Sequence, residues 1–212
     1  MTAIDPAGPL AAGLARQRLL PVLTIADAGV VPALAEILRA HALTTVEVTL
    51  RTPAALDAAA AFVAEGDFTV ALGTLRSAAD LARAAEIGAD FAVTPGTPPA
   101  LLAAAADSPV PVVPAAATPS EMMALADAGF RVVKFFPAAA LGRGILEAVR
   151  GPLPELAFIA NGGIGVAEAG EWLAADNVIA TGMTALAPPD LLARRAFGEI
   201  ARRVHAAVQA LP

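Results

Sequence analysis

"VEVTLRTPAALDAAAAFVAEGDFTVAL", residues 46–72, decides how the chain folds. The β-branched run "VEVTL" (46–50) gives way at Pro53 to an alanine-rich segment of helical periodicity. Gly66 then precedes a second β-branched run, "FTVAL" (68–72). Strand, helix, strand is the repeating unit of a parallel sheet. The same rhythm continues in both directions, with apolar runs at "PVLTI" (21–25), "FAVTP" (91–95), "VPVVPA" (110–115), "VVKFF" (132–136), "AFIAN" (157–161) and "VIATG" (178–182). Helix starts lie between them. Ser77, Thr97 and Thr118 suit N-caps, Pro98 and Pro119 suit the first turn, and Glu121 stands where a capping box with Thr118 requires it. Eight such units within 212 residues predict a closed (β/α)8 TIM barrel, compact for that fold, in a single domain spanning 1–212. A short N-terminal helix at about 6–18 precedes the barrel, and 190–211 is read as its last helix. An open doubly wound sheet is the alternative, but "TIADAG" (24–29) after the first strand lacks its GxGxxG turn.

Composition narrows the function classes. The chain is 57% apolar, yet no run approaches the roughly 18–20 consecutive apolar residues of a membrane span. The first twenty residues show no basic leader followed by an apolar run, so no signal peptide is expected. There is no cysteine, hence no disulfide or thiolate chemistry, which suits a cytoplasmic protein. A net charge of −6 without a basic run argues against nucleic acid as the main partner.

Lys134 is the one lysine of the chain; the other thirteen basic residues are arginines. A solvated charge could be either type, but an amine that must lose its proton cannot be arginine. Alternation along the strand puts Val132, Lys134 and Phe136 on one face, and Glu47, Thr49 and Arg51 on one face of the second strand. Polar groups in a covered parallel strand are tolerable where they point into the barrel and meet partners. Two readings follow. Lys134 and Glu47 are either an amine and proton shuttle for imine chemistry on a ketone, or an ion pair that only satisfies two buried charges.

Other residues cluster at the C-terminal strand ends, where barrels carry their active sites. "NGGIG" (161–165) and "TGMT" (181–184) follow the seventh and eighth strands, where barrels commonly bind phosphate. Gly162 and Gly163 would let the backbone approach an anion and Thr184 would add a hydroxyl; turn-making alone is the other reading of the glycines. Arg51 suits a carboxylate clamp or a surface arginine. Thr74, Thr94 and Pro95 suit substrate contacts or ordinary turns. His41 and His205 lie in separate helical segments, and no ligand motif points to a metal.

"VEVTLRT" (46–52), "FAVTPG" (91–96), "VKFFPA" (133–138) and "NGGI" (161–164), in this order, resemble the class I KDPG/KDPGal aldolases over nearly the whole chain. The resemblance implies a homotrimeric barrel that needs no metal or other cofactor. It implies cleavage of 2-dehydro-3-deoxy-6-phosphogluconate, or its galactonate epimer, to pyruvate and glyceraldehyde 3-phosphate. Residue by residue, it gives Lys134 the Schiff base and Glu47 the acid/base role. Arg51 and Thr74 match the groups on the pyruvyl carboxylate, Pro95 lies near the ketoacid, and Phe136 sits beside the lysine. Gly162, Gly163 and Thr184 match the phosphate positions. Three segments depart from the family pattern: "ALGT" (71–74) replaces "GAGT", "PAAAT" (114–118) replaces a "PG-S/C-T" pattern, and Asn161 replaces a frequent threonine. Asn161 can still serve a substrate hydroxyl. Other readings of the same residues are a 4-hydroxy-2-oxoglutarate aldolase, a phosphosugar isomerase or epimerase without an imine, and a non-catalytic sugar-phosphate binder.

Overall fold

The structure, a computed structural model, describes residues 3–211. Nine strands alternate with helices in the described chain: β1 Leu19–Leu23, β2 Thr45–Thr49, β3 Thr69–Gly73, β4 Phe91–Val93, β5 Val112–Val113, β6 Ala115–Ala116, β7 Val132–Phe135, β8 Ala157–Asn161 and β9 Val178–Met183. All paired neighbours are parallel, in the order β5-β4-β3-β2-β1-β9-β8-β7-β6. The two ends of this sheet, β5 and β6, are consecutive in the chain, so the sheet curls into a nearly closed barrel.

The expected single strand "VPVVPA" is thus two short ones, and Pro114 is the reason. Proline has no N–H to give a ladder. Its carbonyl still accepts from Lys134 N at 2.9 Å, joining this segment to β7. The next amide, Ala115 N, donates to the hydroxyls of Thr94 and Thr97, each at 3.0 Å. Thr97 therefore ties β6 to the loop after β4 and does not cap the following helix, α5 Pro99–Ala106, whose N-cap is Pro98. The first strand also begins earlier than its apolar run suggests, because Leu19–Pro21 pair with Thr181–Met183 of β9.

Side-chain alternation builds two shells. Leu20, Ala71, Phe91, Val93, Val132 and Ile159 fill the barrel interior, and Leu14 of α1 Pro9–Gln17 joins them. The Gln17 amide donates to Leu19 and Thr45 carbonyls at 2.7 Å each, which fixes α1 beneath the N-terminal strand ends. The opposite strand residues, such as Val46, Val48, Leu72 and Phe135, pack against the surrounding helices, including α2 Val31–Ala40 and α3 Ala55–Ala64. No helix among the described residues is long and apolar enough to cross a membrane.

The expected last helix is two, α7 Pro189–Ala193 and α8 Phe197–Gln209. Arg195 adopts φ 53° and turns the chain between them. Its guanidinium reaches Asp27 at 2.6 Å, pinning this corner to the loop after β1.

Ser77 caps α4 Ala78–Glu86 through Asp80 N. Thr118 and Glu121 form a complete capping box at the start of α6 Pro119–Asp127. Glu121 also accepts from Ala117 N, and that bond, with those from Thr118, holds its carboxyl below the usual glutamate range. Thr118→Ala is expected to cost about 1 kcal/mol in urea denaturation. Glu121→Gln should be less stable than the parent near neutral pH. Because the folded-state carboxyl titrates lower than the unfolded one, that deficit should shrink as pH falls through the folded value. An unchanged deficit across the acid range would show that the charge contributes nothing.

Candidate active site

Glu47 stands on β2 and Lys134 on β7, strands that are not neighbours in the sheet, so they meet only across the barrel interior. Lys134 Nζ lies 3.1 Å from Glu47 Oε1 and 3.5 Å from Oε2. Glu47 is fully buried and Lys134 is 3% exposed. Asn161, at the end of β8, donates from Nδ2 to Glu47 Oε2 at 3.4 Å. The Phe136 ring lies beside the amine, its centroid 5.5 Å from Nζ.

Two strand glycines make room for this group. A Cβ on Gly73 of β3 would fall 2.2 Å from Glu47 Oε1, and one on Gly182 of β9 would fall 2.1 Å from Asn161 Nδ2. A buried glycine costs strand stability; here it admits a polar side chain from the adjoining strand. Neither glycine was singled out by sequence reasoning, although an isolated glycine inside a strand pattern is itself a signal of close approach.

A cavity of about 190 Å³ opens above the lysine, lined by Val22, Arg51, Lys134, Phe136, Asn161, Gly162, Gly163, Gly182 and Thr184. It gathers seven of the ten expected site residues into one wall: Arg51, Lys134, Phe136, Asn161, Gly162, Gly163 and Thr184. Glu47 joins them through the lysine. Thr74 joins through Arg51, whose Nε donates to Thr74 Oγ1 at 2.9 Å. Thr74 holds φ 66°, an uncommon conformation for a β-branched residue. Arg51 has no carboxylate partner among the described residues, so its fork is free to take one.

Gly162 and Gly163 both adopt left-handed conformations, φ 100° and 79°. The turn alone would call for glycine, but space does too: a Cβ at 162 would lie 2.9 Å from the Phe136 ring, and at 163 2.9 Å from Ala139 Cβ. The turn after β8 is thereby seated directly on the segment that follows Lys134. Thr184 begins a short 3-10 turn after β9, on the same rim.

Pro95 is half-buried in the loop after β4 and is not among the cavity-lining residues. Thr94 is committed to the Ala115 amide. His41 and His205, distant in sequence, approach edge-to-face with ring centroids 5.7 Å apart, outside the cavity. Among the described residues no group of three or more His, Asp or Glu is placed to hold a metal ion. Val22 of β1 lines the cavity and was missed; as one apolar residue in an apolar run, it carried no distinguishing mark.

The aldolase family described as KDPG and KHG aldolase matches residues 10–203. The chain belongs to this family. Among its curated relatives, the KHG/KDPG aldolase of Escherichia coli K12 is 35% identical over 194 residues, covering 90% of this chain and 91% of the relative. The crystal structure of KDPG aldolase from Legionella pneumophila, with pyruvate captured at low pH as a covalent carbinolamine intermediate, superposes with a TM-score of 0.89. It is 31% identical, with 96% of this chain and 98% of that one covered. The 2-keto-3-deoxy-6-phosphogluconate aldolase of Zymomonas mobilis with 3-phosphoglycerate gives a TM-score of 0.85 at 28% identity, covering 96% and 99%. Like these relatives, this KDPG/KHG aldolase family member is an aldehyde-lyase.

Burial of a charge is strongly unfavourable unless the charge is paired, so the two halves of the Lys134–Glu47 pair depend on each other for stability. Glu47→Leu alone should destabilise the protein by about 3–5 kcal/mol in urea denaturation, and Lys134→Met combined with it should recover most of that loss. A double variant no more stable than Glu47→Leu would show that the pair is not what holds the interior.

Proposed function

We propose that this protein is a Schiff-base aldolase that cleaves 2-dehydro-3-deoxy-6-phosphogluconate, or its galactonate epimer, to pyruvate and glyceraldehyde 3-phosphate. The observation that carries the reading is a lone lysine amine buried 3.1 Å from a buried carboxylate at the floor of a cavity rimmed by two glycines and an arginine that has no carboxylate partner among the described residues. The carbinolamine named for the Legionella structure supports pyruvate as the group that meets the amine.

In the forward reaction Lys134 Nζ, having passed a proton to Glu47, attacks the C2 ketone. The carbinolamine hydroxyl takes that proton back from Glu47 and leaves as water, giving a protonated imine and an ionised Glu47. Glu47 then takes the proton of the C4 hydroxyl. The C3–C4 bond breaks, its electron pair passes into the imine as an enamine, and glyceraldehyde 3-phosphate leaves. Glu47 returns the proton to C3, and one water hydrolyses the imine to pyruvate and free amine, so water balances over the cycle.

The other residues take the roles that the family resemblance implies. Arg51 holds the ketoacid carboxylate, with Thr74 fixing its Nε end. Phe136 covers the amine and Pro95 flanks the ketoacid from the β4 loop. Asn161 Oδ1 accepts from a substrate hydroxyl. Gly162 and Gly163 offer backbone to the phosphate and Thr184 offers its hydroxyl. The 3-phosphoglycerate in the Zymomonas mobilis structure supports a phosphorylated three-carbon fragment as a ligand of this site's kind. A solved relative described as a 4-hydroxy-2-oxoglutarate aldolase as well as a KDPG aldolase adds a second substrate; the proposed phosphate rim favours the phosphorylated one.

The wider expectations belong to the same proposal. Taking β5 and β6 as one strand interrupted at Pro114 gives the eight positions of a (β/α)8 barrel in a single domain. A homotrimer working in the cytoplasm without a metal or organic cofactor completes it.

Incubation with pyruvate and borohydride, followed by peptide mass spectrometry, tests the mechanism. A reduced pyruvyl adduct is expected on the Lys134 side chain and on no other side chain. Its absence from folded protein at saturating pyruvate would overturn the reading. Glu47→Gln should lower kcat by about 10²–10⁴-fold, and activity should persist in chelator.

A further inference from the structure

The Glu47 carboxylate has two oxygens with different neighbours. Oε1 is the nearer to the lysine amine, at 3.1 Å, and Oε2 is the one that Asn161 Nδ2 reaches, at 3.4 Å. An ionised carboxylate only accepts hydrogen bonds, so the end of the Asn161 amide that faces it is the NH2. That orientation leaves Asn161 Oδ1 without a partner although the residue is 3% exposed. A buried carbonyl oxygen left unpaired is costly, so strand stability does not favour asparagine here; an aliphatic β-former would fill the position without an orphan group. Space has nevertheless been made for it. Gly182, paired with Asn161 across the β8–β9 ladder, leaves the slot that the amide occupies. Gly73 does the same for Glu47.

We propose that Asn161 is a positioning residue for Glu47. Its Nδ2 holds Oε2, which fixes the carboxylate plane and keeps Oε1 on the lysine side, where protons are exchanged as imine and enamine interconvert. The inference rests on the imine reading above, but it concerns the opposite end of the amide from the one that meets a substrate hydroxyl. The two roles have different consequences for pyruvate, which has no C4. Pyruvate condenses with Lys134 with loss of water, gives up a methyl proton to Glu47 to form the enamine, takes back a deuteron in D2O, and is released by hydrolysis. That cycle needs the amine and a well-placed carboxylate, and no C4 hydroxyl.

The test compares Asn161→Thr with Asn161→Val, which match in shape and differ in a hydroxyl donor. Exchange of the pyruvate methyl protons in D2O is followed by NMR, with KM for pyruvate and borohydride trapping on Lys134 measured in parallel. The valine variant should exchange about 10- to 100-fold more slowly than wild type, the range expected for losing one hydrogen bond to a charged group. The threonine variant should remain close to wild type, and both should keep KM and full trapping. Should valine prevent folding, Asn161→Ser against Asn161→Ala makes the same comparison. Equal exchange in wild type and in the donor-less variant would overturn the positioning role, as would equal loss in both variants. Failure of the wild-type protein to trap or exchange pyruvate would instead overturn the imine reading beneath it.

Discussion

The contact between Lys134 and Glu47 is the constraint around which the rest of the barrel is arranged. Two ionisable groups at the centre of a parallel barrel are tolerable only as partners, and these come from strands β2 and β7 on opposite sides of the closure. Nothing local to either strand makes the pair stable; it exists because the sheet curls far enough to bring them together. Every strand between them must keep its register for the two side chains to meet. Stability alone gives a poor account of such a pair, since an apolar replacement on both sides is often as good. A reactive amine with a proton partner gives a better one, because no guanidinium can supply it.

The interior is divided along the barrel axis. Toward the N-terminal strand ends it is apolar, filled by Leu20, Phe91, Val132 and Ile159 and stoppered by Leu14 of α1. Toward the other end the same inward alternation delivers Glu47, Lys134 and Asn161, with Gly73 and Gly182 in place of side chains that would collide with them. Packing and chemistry thus use one set of strands at different heights. The glycines after β8 extend the arrangement outward, since Gly162 lies against the Phe136 ring that flanks the amine.

Much of this was legible in the sequence because it rests on periodicity and residue type. Strand–helix alternation gave the barrel, and period-two alternation placed Glu47 and Lys134 inside it. The capping box at Thr118 could be read from spacing alone. What could not be read depends on partners distant in the chain. Pro114 was an ordinary residue of an apolar run until its missing N–H met a ladder, and Thr97 passed for a cap until Ala115 claimed its hydroxyl. The break at Arg195 lies where the residue takes a positive φ, and its guanidinium meets Asp27, 168 residues away. Gly73 and Gly182 are informative only once it is known which side chain occupies the space that each leaves.

The structure also sorts the three departures from the family pattern. Ala71 is fully buried among the interior apolar residues, paired with Glu47 and Phe91 in the ladders, and does not line the cavity. The "PAAAT" segment supplies the broken strand and the α6 cap, and Ala115 faces a separate groove beside α5 and α6. Only Asn161 both lines the cavity and touches the Glu47 carboxylate. Of the three departures, this one alone stands at the cavity. A carboxamide offers a donor at one end and an acceptor at the other, whereas a threonine hydroxyl must serve both from a single atom. In Asn161 the donor end meets Glu47 while the acceptor end has no partner among the described residues, and Gly182 leaves the space that the amide occupies.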